Sequence, residues 1–397
     1  MSTNKVFSDL RAGQSAEGTP RVPVEAATPI PDVRAALLAG GLGERMGKLT
    51  DAVCKPMVPY AGVCRLVDFS MANVVRSGVP ELVVMSQHLE RDLLDHLVRR
   101  WDGRGGMHVH LGPYERVFSS DDRHGGLPTD VTLPARPPEH GTADALLTNA
   151  EWLFTADCRD ILVLHADHVY SFDYRPMLCE HRQAGADVTI GVQRIERRFV
   201  RLFGMVEVDQ DNRIRSLVEK PAEPTSDLIF TAFCLFRAEV LEKVLAVLAA
   251  RPDNEWQHDI SRDVLPFMIS EGFHVRAFPV SGYWADIGTL ERYLLGHLDL
   301  IRSPDALPLT DIPRTLPGAR PELVIPDGVI TSEELSPEAH LRESVLYPGS
   351  IVEPGARVER SVLLSGARVS AGVHLLETVA LAGENLTESR SGLAALA

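Results

Sequence analysis

The chain has 397 residues, a length that suits two or three domains, and its 45% hydrophobic and 24% charged side chains are an ordinary balance for a globular protein. A formal net charge of −15 argues against a nucleic-acid backbone or an anionic membrane as partner, since both demand a basic face, so anionic ligands must be held by local Lys and Arg. Five scattered cysteines, with no C-x-x-C pair, suggest neither a disulfide framework nor a zinc site and fit a reducing cytoplasm.

In chain order, Met1 to Pro31 is polar and lacks an apolar core of signal-peptide length, which predicts a disordered lead-in over 1–31. Ala35 to Ala39 reads as a buried strand ending at Gly40-Gly41-Leu42-Gly43, a loop with almost no side chain, where glycine gives φ > 0 and lets backbone N–H groups approach a phosphate. Arg45 follows as a fork-shaped donor, and Lys55-Pro56 as a point charge on an extended backbone. The combination points to a triphosphate, although the spacing is neither G-x-G-x-x-G nor a P-loop. A tight strand-to-helix turn is the bland alternative.

Leu82–Ser86, Met107–Leu111, Ile161–His165 and Val188–Val192 are further strand candidates, alternating with helical stretches at Leu66–Arg76, Leu89–Arg100, Ala143–Phe154 and Tyr174–Gln183. That alternation predicts a doubly wound α/β sheet, whose ligands lie beyond the carboxyl ends of the strands, where both Gly40-Gly41 and Ala166-Asp167-His168 fall. Gly204 to Val218 reads as a hairpin delivering Glu219-Lys220, followed by a strand at Leu228–Phe236. Helices at Ala238–Arg251 and Ile260–Ile269, a strand at Val275–Val280 and a helix at Leu290–Ile301 complete a domain spanning 32–302. A proline-rich linker covers 303–321. Beyond it an apolar residue recurs every six positions, as at Leu323, Val329, Leu335 and Leu341 and again at Leu346, Val352, Val358 and Leu364, with Pro-Gly turns at the same spacing. This is the hexapeptide signature of a short parallel β-helix over 322–384, expected to be left-handed and to end in a frayed tail over 385–397.

The string G-G-x-G-x-R-M at Gly40 to Met46, followed by Lys55-Pro56, resembles the signature of the sugar-1-phosphate nucleotidyltransferases. R-L-V-D-F at Arg65 to Phe69, G-T-A-D-A at Gly141 to Ala145, A-D-H-V-Y at Ala166 to Tyr170, V-E-K-P at Val218 to Pro221, H-D-I at His258 to Ile260 and Y-W-A-D-I-G-T at Tyr283 to Thr289 are similar to the bacterial ADP-glucose pyrophosphorylase branch. The resemblance implies a nucleotidyltransferase fold and in-line attack of a sugar-phosphate oxygen on the α-phosphorus of a nucleoside triphosphate. It assigns Arg45 and Lys55 to the triphosphate and the leaving pyrophosphate, and Asp167 and Asp286 to Mg²⁺. Gly40, Gly41, Gly43, Gln87, Gly141 and Thr142 fall to the nucleotide, and Gly204, Glu219, Lys220 and Thr231 to the sugar phosphate. Thr142 as a helix N-cap and His168 as a buried, hydrogen-bonded histidine are the structural readings beside these.

The chain also departs from that branch. Leu42 stands where the loop usually carries arginine, Leu133 to Pro138 replaces a Gln-Gln-Arg segment, and Glu139-His140 replaces Tyr-Arg. Phosphate and metal positions are kept while base-side positions differ. ATP with glucose 1-phosphate is the default from resemblance. GTP with a valienol-type cyclitol 1-phosphate is the second reading, since the Glu139 carboxylate can accept from guanine N1 and N2. A catalytically silent regulatory subunit is a third, and an acyltransferase working through the β-helix a weaker fourth. Association through the β-helix predicts a homodimer or homotetramer.

Overall fold

The computed structural model describes residues 27–118, 123, 125–316, 322–324, 327–333 and 338–394. The lead-in up to residue 26, linker residues 317–321 and Leu335 of the repeat lie outside the described residues.

The first elements are β1 (Val33–Leu38), α1 (Val67–Ser77), β2 (Glu81–Met85), α2 (Glu90–Arg100), β3 (His108–His110), α3 (Thr142–Thr148), β4 (Asp160–His165), β5 (His168–Tyr170), α4 (Arg175–Ala184) and β6 (Val188–Arg194). Next come the hairpin β7 (Gly204–Val208) and β8 (Ile214–Glu219), then β9 (Leu228–Arg237), α5 (Ala238–Ala249), β10 (Val275–Pro279), β11 (Trp284–Asp286) and α6 (Leu290–Arg302). Among the described residues nine strands form one mixed sheet, with the path β8-β7-β9-β4-β1-β2-β3, with β6 added beside β9 and β10 beside β6. β1 pairs in parallel with both β4 and β2, so it is central and carries apolar residues on both faces: Ala35, Ala36 and Leu37 are fully buried. β9 runs antiparallel to β4 and β6, which makes the sheet mixed.

Two expected helices differ in detail. The stretch 143–154 is broken at Asn149, a fully buried residue whose Nδ2 donates to the Ala145 carbonyl and so competes with the helical ladder. The helix expected over 260–269 opens with a wide π turn at Ile260–Val264 before Leu265–Ser270 continues as α-helix, because Pro266 supplies no N–H to the ladder.

From residue 329 onward, strands fall in rotation onto three sheets. Between residues 340 and 386 parallel partners on one sheet are a rung of 17 residues apart, as in Ser344 and Ser361, whose hydroxyl and amide are hydrogen-bonded, while the first and last parallel pairings, Val329 with Ser344 and Leu375 with Arg390, are 15 apart. All these pairings are parallel except that of Glu322–Val324 with Val329–Thr331. Val329, Leu346, Val358, Leu363, Val369 and Leu375 of the six-residue pattern point inward and are buried together. Leu364 instead joins the core shared with the part built on the mixed sheet. The positions beyond Glu384, placed in the frayed tail by the sequence reading, remain paired: Asn385–Leu386 with Arg368–Val369, and Arg390–Ser391 with Leu375–Leu376, because Leu386 still has an inward site to fill.

The two parts share one core. Leu294, Leu298 and Ile301 of α6 pack with Ile330, Val345, Tyr347, Val362 and Val379. The segment after α6 docks as well: Leu307 and Ile312 are buried, and Thr315 donates from Oγ1 to Asp68 at 2.6 Å. Asp68, of the R-L-V-D-F string, is fully buried and also accepts from the Trp101 indole and the Arg65 amide while contacting His96. Burial alone would raise its carboxyl, yet His96, Thr315 and the Arg65 amide hold it below the usual range. This motif residue is therefore a scaffold hub that ties α1, α2 and the docked segment together. Among the described residues no helix is long and apolar enough to cross a membrane.

Candidate active site

The loop after β1 leaves the sheet at its carboxyl edge. A Cβ added at Gly41 would meet no protein atom within 4 Å, so that backbone is open to an incoming group. Gly43 has a different role. At φ 74° it takes a left-handed turn, and a Cβ there would lie 3.1 Å from the Lys55 Cβ, so glycine lets the lysine pack beneath the loop.

Lys55 is 7% exposed, and its Nζ donates to Asp167 Oδ2 at 2.5 Å while lying 3.8 Å from Asp286 Oδ1. Those carboxylates come from positions 119 apart in sequence. The pairing of β5 with β11, which sets Asp286 opposite His168, brings them to one place. Burial works to raise the Asp167 carboxyl, but Lys55, then His168 and His165, hold it well below the carboxylate range. Among the described residues its Oδ1 is buried without a hydrogen-bond partner, and it sits 3.7 Å from His168 Nε2. Asp286 also accepts from Arg292 at 2.5 Å through Oδ2. Arg45 lies at the same place, its guanidinium 3.4 Å from where a Cβ on Gly288 would be, a point that is 3.1 Å from Asp286 Oδ1. His165, at the end of β4, is pushed down to about 4 by burial and the neighbouring His168, so it is neutral at physiological pH.

Two clefts flank this cluster. One, of about 310 Å³, is lined by Gly40, Gly41, Lys55, Gln87, Glu139, His140, Gly141, Thr142, His165 and Asp167. It therefore gathers every nucleotide-side residue expected from the sequence except Gly43, which braces it from below. Gly141 is required there by proximity: an added Cβ would fall 2.3 Å from the His258 carbonyl oxygen. Thr142 is not an N-cap. Its Oγ1 donates to Asp259 and accepts from the Ile260 amide, while Asp259 itself caps the next helix by accepting from Ser261 and Arg262. The other cleft, of about 110 Å³, is lined by Phe203, Trp284, Asp286 and Arg292 among others.

Gly204, Glu219 and Lys220 assemble at the end of the hairpin. Glu219 pairs with Gly204 across β7 and β8, a Cβ on Gly204 would lie 3.2 Å from Glu219 Oε2, and the half-exposed Lys220 ammonium is 3.2 Å from Glu219 Oε1. Lys220 sits at φ 48°, a left-handed conformation uncommon for a side chain with a Cβ, with its amide donating to the Phe203 carbonyl. Thr231 stands apart from this trio: it is fully buried in the irregular stretch of β9, where its Oγ1 has no hydrogen-bond partner among the described residues.

Sequence reasoning did not single out Arg292 or His165, or the contacts of Arg136. Arg292 carries no motif signal, and only its place in the first turn of α6, six residues after Asp286, hints at its pairing. Arg136 bonds Glu139, three residues on, and the Tyr114 hydroxyl, a partner that no local spacing announces.

The set of donors fits a hard divalent cation: two carboxylates, one bearing a bondless buried oxygen, with a lysine ammonium lodged between them as the balancing charge. Residues 34–303, the stretch that carries the sheet and both clefts, match the nucleotidyl transferase family, and the chain belongs to that family. It is 46% identical over 327 residues to the valienol-1-phosphate guanylyltransferase of Streptomyces hygroscopicus subsp. limoneus, covering 80% of this chain and 86% of that protein. It is 35% identical over 285 residues to a glucose-1-phosphate adenylyltransferase of Thermomicrobium roseum, covering 70% of this chain but 62% of that protein. To the glucose-1-phosphate adenylyltransferase of Geobacillus stearothermophilus it is 32% identical over 323 residues, 80% of this chain and 77% of the other.

Proposed function

We propose that this chain transfers a nucleoside monophosphate from a nucleoside triphosphate to a sugar or cyclitol 1-phosphate, with GTP and a valienol-type cyclitol 1-phosphate as the pair and ATP with glucose 1-phosphate as the second reading. The observation that carries the reaction is the Lys55 ammonium between Asp167 and Asp286, flanked by one cleft that holds the glycine loop and another that holds Trp284 and Arg292. The 46% identity to a guanylyltransferase favours the first pair, while the more distant adenylyltransferases keep the second in view.

In this reading an oxygen of the 1-phosphate attacks the α-phosphorus in line and the bond to pyrophosphate breaks, with no covalent intermediate, so the protein positions the reactants and neutralises charge. Lys55 and Arg45 hold the triphosphate and the departing pyrophosphate, Lys220 the 1-phosphate, and Glu219 the ring hydroxyls. Asp167 and Asp286 would hold Mg²⁺, which when bound supplies charge neutralisation across the two phosphate groups. Lys55 then exchanges a carboxylate partner for phosphate oxygens without leaving the site. A silent regulatory subunit would have no reason to keep Lys55, Asp167, Lys220 and Asp286 together.

The three-sheeted C-terminal part is read as a short left-handed β-helix that mediates a homodimer or homotetramer, and the protein as cytoplasmic. Light scattering of the full chain tests the association: a monomeric mass refutes it. Pyrophosphate release over four nucleoside triphosphates, each with glucose 1-phosphate and with valienol 1-phosphate, tests the function. Release confined to one pair identifies it, and no release from any pair refutes the enzyme reading.

A further inference from the structure

The nucleotide cleft contains a charged group that phosphate chemistry does not use. Glu139 lines it beside Gln87, Gly40 and Gly141, and its side chain is only 7% exposed. A carboxylate so far from water costs several kcal/mol unless it is paired. Its pair is Arg136, which donates from NH1 to Oε1 at 2.7 Å. Arg136 is in turn fixed by the Tyr114 hydroxyl, which accepts from Nε at 3.2 Å, and by Glu90, 3.5 Å from NH2. Tyr114 also donates to Glu90 at 2.5 Å, and the Ser86 hydroxyl donates to Glu90 at 2.9 Å. The arginine is thus anchored from β2, α2 and the turn after β3, and it holds the coil residue Glu139 against the cleft. Among the described residues the second carboxylate oxygen, Oε2, accepts no hydrogen bond.

An ionised carboxylate is acceptor-only. Guanine offers two adjacent donors, N1–H and the N2 amine, on the edge that a carboxylate spans, whereas adenine presents a lone pair at N1 and only C2–H where guanine has its N2 amine, its own N6 amine lying on the other side of N1. The same group that forms two charge-assisted hydrogen bonds with guanine therefore repels adenine. Resting on the nucleotidyltransferase reading above, we infer that Glu139 is the residue that selects guanine, with Arg136 as its positioning residue. Oε2 and the remaining lone pair of Oε1 receive the two donors, while the Arg136 bond to Oε1 orients the carboxylate and opposes the burial that raises its pKa.

The test compares wild type with Glu139→Gln, Arg136→Lys and Arg136→Met. It reads both kcat/KM and, by calorimetric titration in Mg²⁺, the dissociation constants of GTP, ITP and ATP. ITP keeps N1–H and lacks the N2 amine. Wild type is expected to favour GTP over ATP by about a hundredfold or more, with ITP between them, the scale of two hydrogen bonds to a charged group. Glu139→Gln should collapse that ratio to within about threefold, since an amide presents a donor to one guanine donor. Arg136→Met should collapse it similarly, and Arg136→Lys should restore part of it. A wild-type preference for ATP, or a GTP-to-ATP ratio unmoved by Glu139→Gln in a folded variant, overturns the inference. The binding arm keeps the two readings separable: a guanine preference that depends on Glu139 without any turnover leaves the base reading standing and removes the enzyme reading.

Discussion

The deepest polar joint between the two parts of the chain is His297 on α6, and it sets a pH limit on stability. The imidazole is fully buried, Nδ1 donates to the Tyr293 carbonyl at 2.8 Å, and Nε2 faces the Ala61 amide at 3.2 Å and the Tyr347 hydroxyl at 2.9 Å. The Ala61 amide can only donate, so Nε2 is an acceptor and the ring is neutral. A proton on Nε2 would set N–H against N–H, and burial already pushes the group down from 6.5 to about 4. A folded-state value below the unfolded one means that the unfolded chain binds the proton first. The stabilisation is therefore complete above pH 6.5 and is lost as the pH falls toward 4. Two and a half pH units at about 1.36 kcal/mol each give about 3 kcal/mol below pH 4, of which about 2 kcal/mol is already lost at pH 5. His165, half-buried at the edge of the nucleotide cleft and also pushed down to about 4, acts in the same direction. Urea unfolding at pH 7.5 and pH 5.0, followed by circular dichroism, checks this against His297→Gln, whose amide oxygen can accept from Ala61 but does not titrate. The variant should be less stable than wild type at pH 7.5 by about 1 to 2 kcal/mol, for the lost Tyr293 bond and imperfect packing. It should lose about 2 kcal/mol less than wild type between the two pH values. An equal loss in both proteins would refute the reasoning.

Asp167→Asn and Asp286→Asn should each remove most of kcat with the fold intact, because each takes charge from a site whose benefit appears in the transition state; near-normal turnover at saturating Mg²⁺ would sink the metal assignment. Lys220→Ala should raise KM for the 1-phosphate while the nucleotide KM barely moves, and the reverse pattern would mean that the subsites are exchanged. Gly141→Ala should destabilise the protein by about 1 to 3 kcal/mol and weaken nucleotide binding, because its Cβ would drive α3 away from the His258 turn; an unchanged melting temperature and nucleotide Kd would contradict that packing. Arg292→Met should weaken the apparent Mg²⁺ affinity through a loosened Asp286, read as a higher Mg²⁺ concentration for half-maximal rate, and an unaltered Mg²⁺ titration would show that Arg292 does not position the carboxylate.

By itself the sequence determined the elements whose residues are local to one another. The apolar run of β1, the glycines that follow it, the alternating hairpin at 204–219 and the six-residue period of the C-terminal part each state a backbone conformation through neighbouring side chains. The glycine loop was legible for the same reason, whereas Lys55, expected on an extended backbone before Pro56, instead opens a 3-10 turn over Lys55–Met57, and motif resemblance supplied Asp167 and Asp286 as a pair without any local signal that they meet. Tertiary structure decided what long-range pairing controls. It is the register of β11 on β5 that sets Asp286 opposite His168 and within reach of Lys55. It is a buried ion pair that turns Glu139 from a coil residue into a wall of the nucleotide cleft. It made Asp68 a structural hub, broke a predicted helix at Asn149, and kept Asn385–Leu386 and Arg390–Ser391 in the sheets. Side-chain periodicity encodes which face of an element is apolar, but which two polar groups approach across a hundred residues depends on how those faces pack, and that information belongs to the folded chain.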